Sequence, residues 1–305
     1  MDWIQDGANW PNRIHSRFAN TRPHRWHVQD TGTPGDGRPV ILLLHGAGGA
    51  THSWRHMLPL LDTRARVIAP DLPGQGFSRS GSRFRLGMDF IAEDMTRLLA
   101  ELDAHPDAIV GHSAGGALGL WLAHRLERKP AAAIAVNGAL EPFPGMAGWL
   151  FPALARLLSL NPLTALVVSR TGASEASVRS LLENTGSRID AEGLACYRRL
   201  VASRAHVDGT LAMMAQWRLE PLLAALPRIA LPTLFLAAEN DRAVPPEIAY
   251  RSAARMPQAE VVAMPARGHL VHEEAAQDVA AAVFAFLDRQ GIAIEPGRRE
   301  GASAY

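Results

Sequence analysis

The sequence predicts an α/β fold: a mostly parallel central sheet flanked by helices, with a helical segment inserted between two core strands. Three observations predict it. Short apolar runs, often β-branched, end in turn residues. Stretches of helical periodicity lie between them, and strand–helix alternation implies parallel strands joined by right-handed crossovers. One stretch between two such runs holds helical patterns only.

The elements follow in order. Val40 to Leu44 (VILLL) ends in His45-Gly46. An unbroken apolar run of this length is the mark of a strand buried on both faces. Arg66 to Ala69 reads the same way. Met88 to Leu102 places apolar residues at Phe90, Ile91, Met95, Leu98, Leu99 and Leu102, close to a helical period. Ala108 to Val110 is a strand ending at Gly111, and the Ala/Leu-rich Ala114 to Leu126 is a helix. Ala131 to Val136 is a further strand. Thr233 to Ala238 (TLFLAA) is a strand that stops before Glu239-Asn240-Asp241. Helix Glu247 to Met256, strand Glu260 to Met264 and helix Asp278 to Arg289 complete the set. Between Glu141 and Pro227 there are prolines at 142, 144, 152 and 162 and amphipathic runs at Trp149 to Leu160 and Leu211 to Leu226. The expected organisation is a core of residues 1–140 and 228–292, a helical cap of residues 141–227, and a frayed tail of residues 293–305.

Composition narrows the function classes. The chain has 305 residues, 31 Lys+Arg against 30 Asp+Glu, and a formal charge of +1. No global field favours nucleic acid or an anionic membrane. The one cysteine, Cys196, excludes an internal disulfide framework and a Cys-rich metal cluster; it reads as a small buried hydrophobe. Met1 to Arg17 has no apolar run, so it is not a secretory signal. No stretch approaches the ~18 apolar residues of a transmembrane helix. A cytoplasmic protein is expected, with peripheral membrane contact through Trp149 to Leu160 as a weaker alternative.

The chemistry centres on Gly111-His112-Ser113-Ala114-Gly115, a G-x-S-x-G motif between a buried strand and a helix. A serine on so sharp a turn projects its hydroxyl from the sheet, and side chains at Gly111 and Gly115 would collide. The following helix aims its positive end at a developing oxyanion. His269, after the strand Glu260 to Met264, is the candidate base, because imidazole titrates near neutrality. Asp241, at the end of Thr233 to Ala238, is the candidate acid that orients it. Chance and turn-forming roles are the competing readings of the motif and of Asp241. The order Ser113, Asp241, His269 is that of a nucleophile-elbow triad. The oxyanion hole is expected from the backbone N–H groups of Ala114 and, in the loop His45-Gly46-Ala47-Gly48-Gly49, of Ala47. A dinucleotide-binding reading of that loop fails, because the third glycine of G-x-G-x-x-G would fall at Thr51. His45 and the loop Asp71 to Ser78 are read as structural. A metal site at His269 and His272 lacks a third ligand at suitable spacing. No metal and no cofactor is expected.

Together, His45-Gly46, Asp71-x-x-Gly74-x-Gly76-x-Ser78, Gly111-x-Ser113-x-Gly115, Asp241 and Gly268-His269 resemble the α/β-hydrolase superfamily, across Val40 to Leu287. A narrower set is similar to the BchO-type magnesium-chelatase accessory proteins of bacteriochlorophyll-making bacteria. It comprises Trp10-Pro11-Asn12-Arg13, Trp26-His27-Val28-Gln29, Ala50-Thr51-His52-Ser53-Trp54, Asn137-Gly138-Ala139-Leu140, Leu160-Asn161-Pro162, Gly186-Ser187 and Ala212-Met213-Met214-Ala215. Gly48-Gly49 makes the oxyanion loop more glycine-rich than that narrow family suggests. The resemblance implies an α/β-hydrolase fold with Ser113, Asp241 and His269 as its triad. It also implies a place at or near magnesium insertion into protoporphyrin IX, with a tetrapyrrole or other small molecule as substrate and magnesium-chelatase subunits as partners. Two readings compete with a serine hydrolase of that pathway. One is a non-hydrolytic tetrapyrrole-binding or chelatase accessory protein, whose insertion supplies apolar residues (Trp149, Phe151, Met213, Trp217) and arginines (Arg156, Arg188, Arg198, Arg204) for propionates. The other is a general carboxylesterase.

Overall fold

The computed structural model describes residues 1–141 and 162–292. Its centre is an eight-stranded sheet in the order β1-β2-β4-β3-β5-β6-β7-β8. The strands are β1 (Ser16–Thr21), β2 (His24–Asp30), β3 (Val40–Leu44), β4 (Arg66–Pro70), β5 (Ala108–His112), β6 (Ala132–Val136), β7 (Thr233–Ala238) and β8 (Ala259–Met264). From β3 to β8 all pairings are parallel, while β1 and β2 join antiparallel at one edge. Sequence reading places the parallel strands to within two residues and misses β1 and β2. The reason is visible in β2: His24, His27, Gln29 and Asp30 are buried polar residues, so burial there leaves no apolar run.

The buried strands alternate between two cores. Ile41, Leu43, Val67, Val110, Ile134 and Leu236 face the helices Met57–Asp62 and Ala276–Arg289. Leu42, Leu44, Ile68 and Ile109 face Met88–Glu101 and Ala114–Arg125. With both faces covered, the carboxyl edge is left to carry a site. β4 and β5 lie on opposite sides of β3, which opens a crevice at that edge.

Between β6 and β7 the described residues form helices Pro162–Thr171, Glu175–Glu183, Ala191–Ala202, Arg204–Gln216 and Glu220–Ala225. The run expected as one helix, Leu211 to Leu226, is broken. Trp217 is extended (φ −74°, ψ 117°), and Pro221 sits in the first turn of the next helix, where its missing N–H costs nothing. The Trp149 to Leu160 run and the tail from residue 293 lie outside the described residues. No helix among the described residues is long and apolar enough to cross a membrane.

Candidate active site

The site begins at the carboxyl end of β5. Ser113 has φ 53° and ψ −118°, a region that costs an L-residue on the order of 1–3 kcal/mol. Two close approaches enforce the turn. A Cβ on Gly111 would lie 2.1 Å from the Gly115 carbonyl oxygen, and one on Gly115 would lie 2.1 Å from that of Leu44. The Ser113 N–H donates to the Val136 carbonyl at 3.0 Å, which anchors the turn to β6. Ser113 is half-buried, and its hydroxyl makes no hydrogen bond among the described residues. The Ala114 and Ala47 N–H groups are likewise without a partner among them. Gly46 lies against the serine: a Cβ there would be 3.1 Å from that of Ser113.

The glycine-rich loop after β3 is held at several points. His45 Nδ1 donates to the Gly46 carbonyl at 2.8 Å, and its Nε2 accepts from Leu72 N–H at 2.9 Å. Gly48, at φ +77°, donates its N–H to Gln75 Oε1 at 2.8 Å. The Gly48 carbonyl accepts from His206 Nε2 at 3.1 Å, and His206 Nδ1 accepts from Gly76 N–H at 3.0 Å. These two bonds require a neutral His206 protonated on Nε2; burial pushes its pKa down to about 3. Gln75 also contacts Met213 Sδ at 3.0 Å, so Met213 backs the loop.

The Asp71–Ser78 loop is a second brace. Asp71 accepts from Thr51 N–H (2.7 Å), Phe77 N–H (2.8 Å) and His27 Nδ1 (2.8 Å). Burial alone would raise its pKa; His27 and these donors outweigh that and hold it at about 2.

Asp241 and His269 meet across the ends of β7 and β8. Asp241 is buried, and its Oδ1 accepts from Ala243 and Val244 N–H, each at 2.8 Å. Its Oδ2 accepts from His269 Nδ1 at 2.7 Å, and Nε2 has no hydrogen-bond partner among the described residues. The backbone of His269 is fixed as well. Its carbonyl accepts from His112 Nε2 and Asn137 Nδ2, both at 2.9 Å. Asn137 also donates to the Gly268 carbonyl at 3.2 Å, while its Oδ1 accepts from Ala238 N–H at 2.8 Å. The His112 ring packs, tilted, between those of His269 (ring centroids 4.6 Å) and His272 (4.2 Å). Burial holds both His112 and His272 well below the ordinary imidazole pKa, so they pack as neutral rings.

The structure thus brings Ser113, Ala47, Ala114, Asp241 and His269 to one sheet edge, with Gly111 and Gly115 shaping the turn. Sequence reading missed the supporting roles of Asn137, His206 and His112; Gln75 belongs to the loop Asp71 to Ser78, read as structural, and it is so here. The available signal at Asn137 was a polar residue before Gly138 at a strand end, where φ is 45°, a conformation Asn tolerates well. Cys196 is buried and its thiol is pushed up to about 12, which agrees with its packing role. Of the arginines proposed for propionates, Arg198 is paired with Glu175; Arg156, Trp149 and Phe151 lie outside the described residues. Chemically, the arrangement offers a hydroxyl on a strained turn, two unengaged N–H groups beside it, and a carboxylate-oriented imidazole.

Comparison with known proteins agrees with this architecture. The family model described as alpha/beta hydrolase fold matches residues 39–276. A magnesium-chelatase 30 kDa subunit of Rhodobacter capsulatus is 47% identical over 281 residues, covering 92% of this chain and 97% of that protein. Among solved structures, the epoxide hydrolase CorEH has a TM-score of 0.73 at 21% identity, covering 90% of this chain and 98% of the other. The carbazole-degradation serine hydrolase CarC has a TM-score of 0.71 at 23% identity, with coverage of 90% and 98%. The two structures carry different chemistries, so this likeness speaks for the fold alone. The chain belongs to the α/β-hydrolase fold family, in the branch that holds the R. capsulatus magnesium-chelatase 30 kDa subunit.

Proposed function

We propose that the protein is a serine hydrolase that transfers an acyl group from an ester or similar bond to water, and that it serves magnesium–porphyrin formation. The observation that carries the reading is the oriented His269–Asp241 pair at the same edge as a strained, unengaged Ser113. In the forward step Ser113 Oγ bonds the substrate carbonyl carbon and its proton passes to His269 Nε2. Asp241 stabilises the imidazolium, and the Ala47 and Ala114 N–H groups hold the oxyanion. The imidazolium returns the proton to the leaving alcohol. Water then repeats the sequence and frees the acid and Ser113. The helices between β6 and β7 act as a cap over this edge.

Ser113 in place of a carboxylate argues against dehalogenase or ordinary epoxide-hydrolase chemistry on this fold, which need a carboxylate nucleophile. A fluorophosphonate probe is expected to label the wild type and to leave Ser113→Ala unlabelled. Equal labelling of both would overturn the reading. A second reading draws on the 47% identical relative, named a subunit of magnesium chelatase: a non-hydrolytic accessory or tetrapyrrole-binding role beside that enzyme. Gene replacement with Ser113→Ala separates the two. Lost pigment with intact folding favours catalysis, and normal pigment favours the accessory role.

A further inference from the structure

The segment Thr185–Arg188, which links two cap helices, sits between the loops that carry Asp241 and His269. A single carbonyl, that of Thr185, accepts from Arg242 N–H at 3.1 Å and from His269 N–H at 3.4 Å. It therefore bridges the residue after the acid to the base itself. Two residues on, the buried Ser187 Oγ accepts from Leu270 N–H at 2.8 Å. Gly186 lies between them at φ +86°, where a Cβ would stand 2.0 Å from the Asn240 carbonyl oxygen. A Cβ on Gly268 would in turn lie 2.3 Å from the Gly186 backbone. Glycine at both positions is what lets the segment reach into the cleft between the loops. Glu274 closes the outer side, accepting from Arg188 N–H and Gly268 N–H, each at 3.2 Å.

The same cap is tied to the base loop by a polar cluster in which Tyr197, Arg55 and Glu273 are buried and Asp190 is exposed. Tyr197 donates to Glu273 Oε1 at 2.7 Å. Arg55 pairs with Glu273 and, at 2.9 Å, with Asp190. A Cβ on Gly193 would lie 2.5 Å from the Arg55 guanidinium, so a glycine there gives it room.

We propose that Thr185, Gly186 and Ser187 are positioning residues that hold the acid loop and the base loop in register, so that Asp241 and His269 are aligned only while the cap is docked. The inner links, Asn240 N–H to the Arg267 carbonyl at 2.9 Å and the Asn137 bonds, fix one side of the base loop. The cap segment fixes the other. A displacement of about 1 Å between catalytic groups costs on the order of 100-fold in rate, so a hydrogen bond that sets the loop position registers in catalysis without touching substrate.

The inference rests on the serine-hydrolase reading for its rate effect, but not for its structural content, and the test uses both. Fluorophosphonate labelling of Ser113 is measured beside the low-field proton resonance of His269 Nδ1–H and the melting temperature. Ser187→Ala is expected to slow labelling about tenfold and to shift or broaden the resonance; Ser187→Thr, which keeps the oxygen, restores both. Gly186→Ala acts in the same direction. Arg179→Ala, which removes only an exposed pair with Glu175, leaves both unchanged. Labelling within twofold of wild type with an unmoved resonance in Ser187→Ala overturns the inference. If that variant fails to fold, amide exchange in the wild type decides. Leu270 and Arg242 N–H are expected to exchange in step with helix Ala191–Ala202, and their continued protection while that helix exchanges overturns the inference. If the wild type is not labelled at all, the hydrolase reading falls alone, and the resonance and exchange still decide the positioning role.

Discussion

Asn137 connects three segments through one amide. It leaves β6 at φ 45°, and its side chain reaches Ala238 N–H and the carbonyls of Gly268 and His269. Asn137→Ala would leave the buried Ala238 N–H and Gly268 carbonyl without these partners. It would also put a residue less suited to the left-handed region at a positive φ. Each buried group left unpaired costs about 1–3 kcal/mol, so a loss of about 3 kcal/mol is expected in urea unfolding, with slower probe labelling of Ser113. An unchanged midpoint would show that water replaces these bonds. Ser113, Asp241 and His269 were readable because each carries a local signal: a motif, a strand end, a Gly-His pair. The side-chain partners of Asn137 and His206, and the Leu270 N–H that Ser187 accepts, lie far away along the chain, and no local motif announces which segments they join.

At the level of elements, the helix Arg204–Gln216 meets the Asp71–Ser78 loop backbone to backbone. A Cβ on Gly209 would stand 2.1 Å from the Gly74 carbonyl oxygen, and no rotamer change relieves a backbone clash. In an isolated helix Gly→Ala gains about 1 kcal/mol. Here overpacking, typically about 1–3 kcal/mol, outweighs that gain, so Gly209→Ala is expected to lower the melting temperature. His206 lies one turn earlier on the same face and holds Gly48, so the same change is expected to loosen the oxyanion loop and slow labelling. A higher melting temperature would mean that the two backbones separate freely. Helix–loop contacts of this kind are invisible to periodicity, as is the break at Trp217. Five of the six parallel strands, β3 to β7, were readable because burial on both faces leaves them almost wholly apolar; the edge strand β8 is largely exposed and was readable from its run Val261 to Met264. In β1 and β2 partnered histidines and carboxylates replace them, and the pattern disappears.

Across the whole molecule, the folded state keeps an unusual number of imidazoles in its interior. His45, His52, His112, His206 and His272 are each at least nine-tenths buried, and desolvation lowers the pKa of every one from the ordinary value of 6.5. A group whose folded pKa lies below its unfolded value binds its proton more readily in the unfolded chain. The stability it contributes is therefore intact above about pH 6.5 and declines as the pH falls below it, down to the folded pKa, about 3 for His206. Each such imidazole adds up to about 1.4 kcal/mol per pH unit to that slope. Asp71, held at about 2, loses its own contribution only between about pH 4 and pH 2. Unfolding free energy measured from pH 8 to pH 4 is thus expected to be level above pH 7 and to fall with a slope of several protons below pH 6. His206→Gln, which can still donate to Gly48 and accept from Gly76, is expected to reduce the slope by about one proton. A profile flat from pH 7 to pH 5 would mean that the interior accommodates imidazolium, and the neutral forms assigned to His206 and His112 at the candidate site would have to be abandoned.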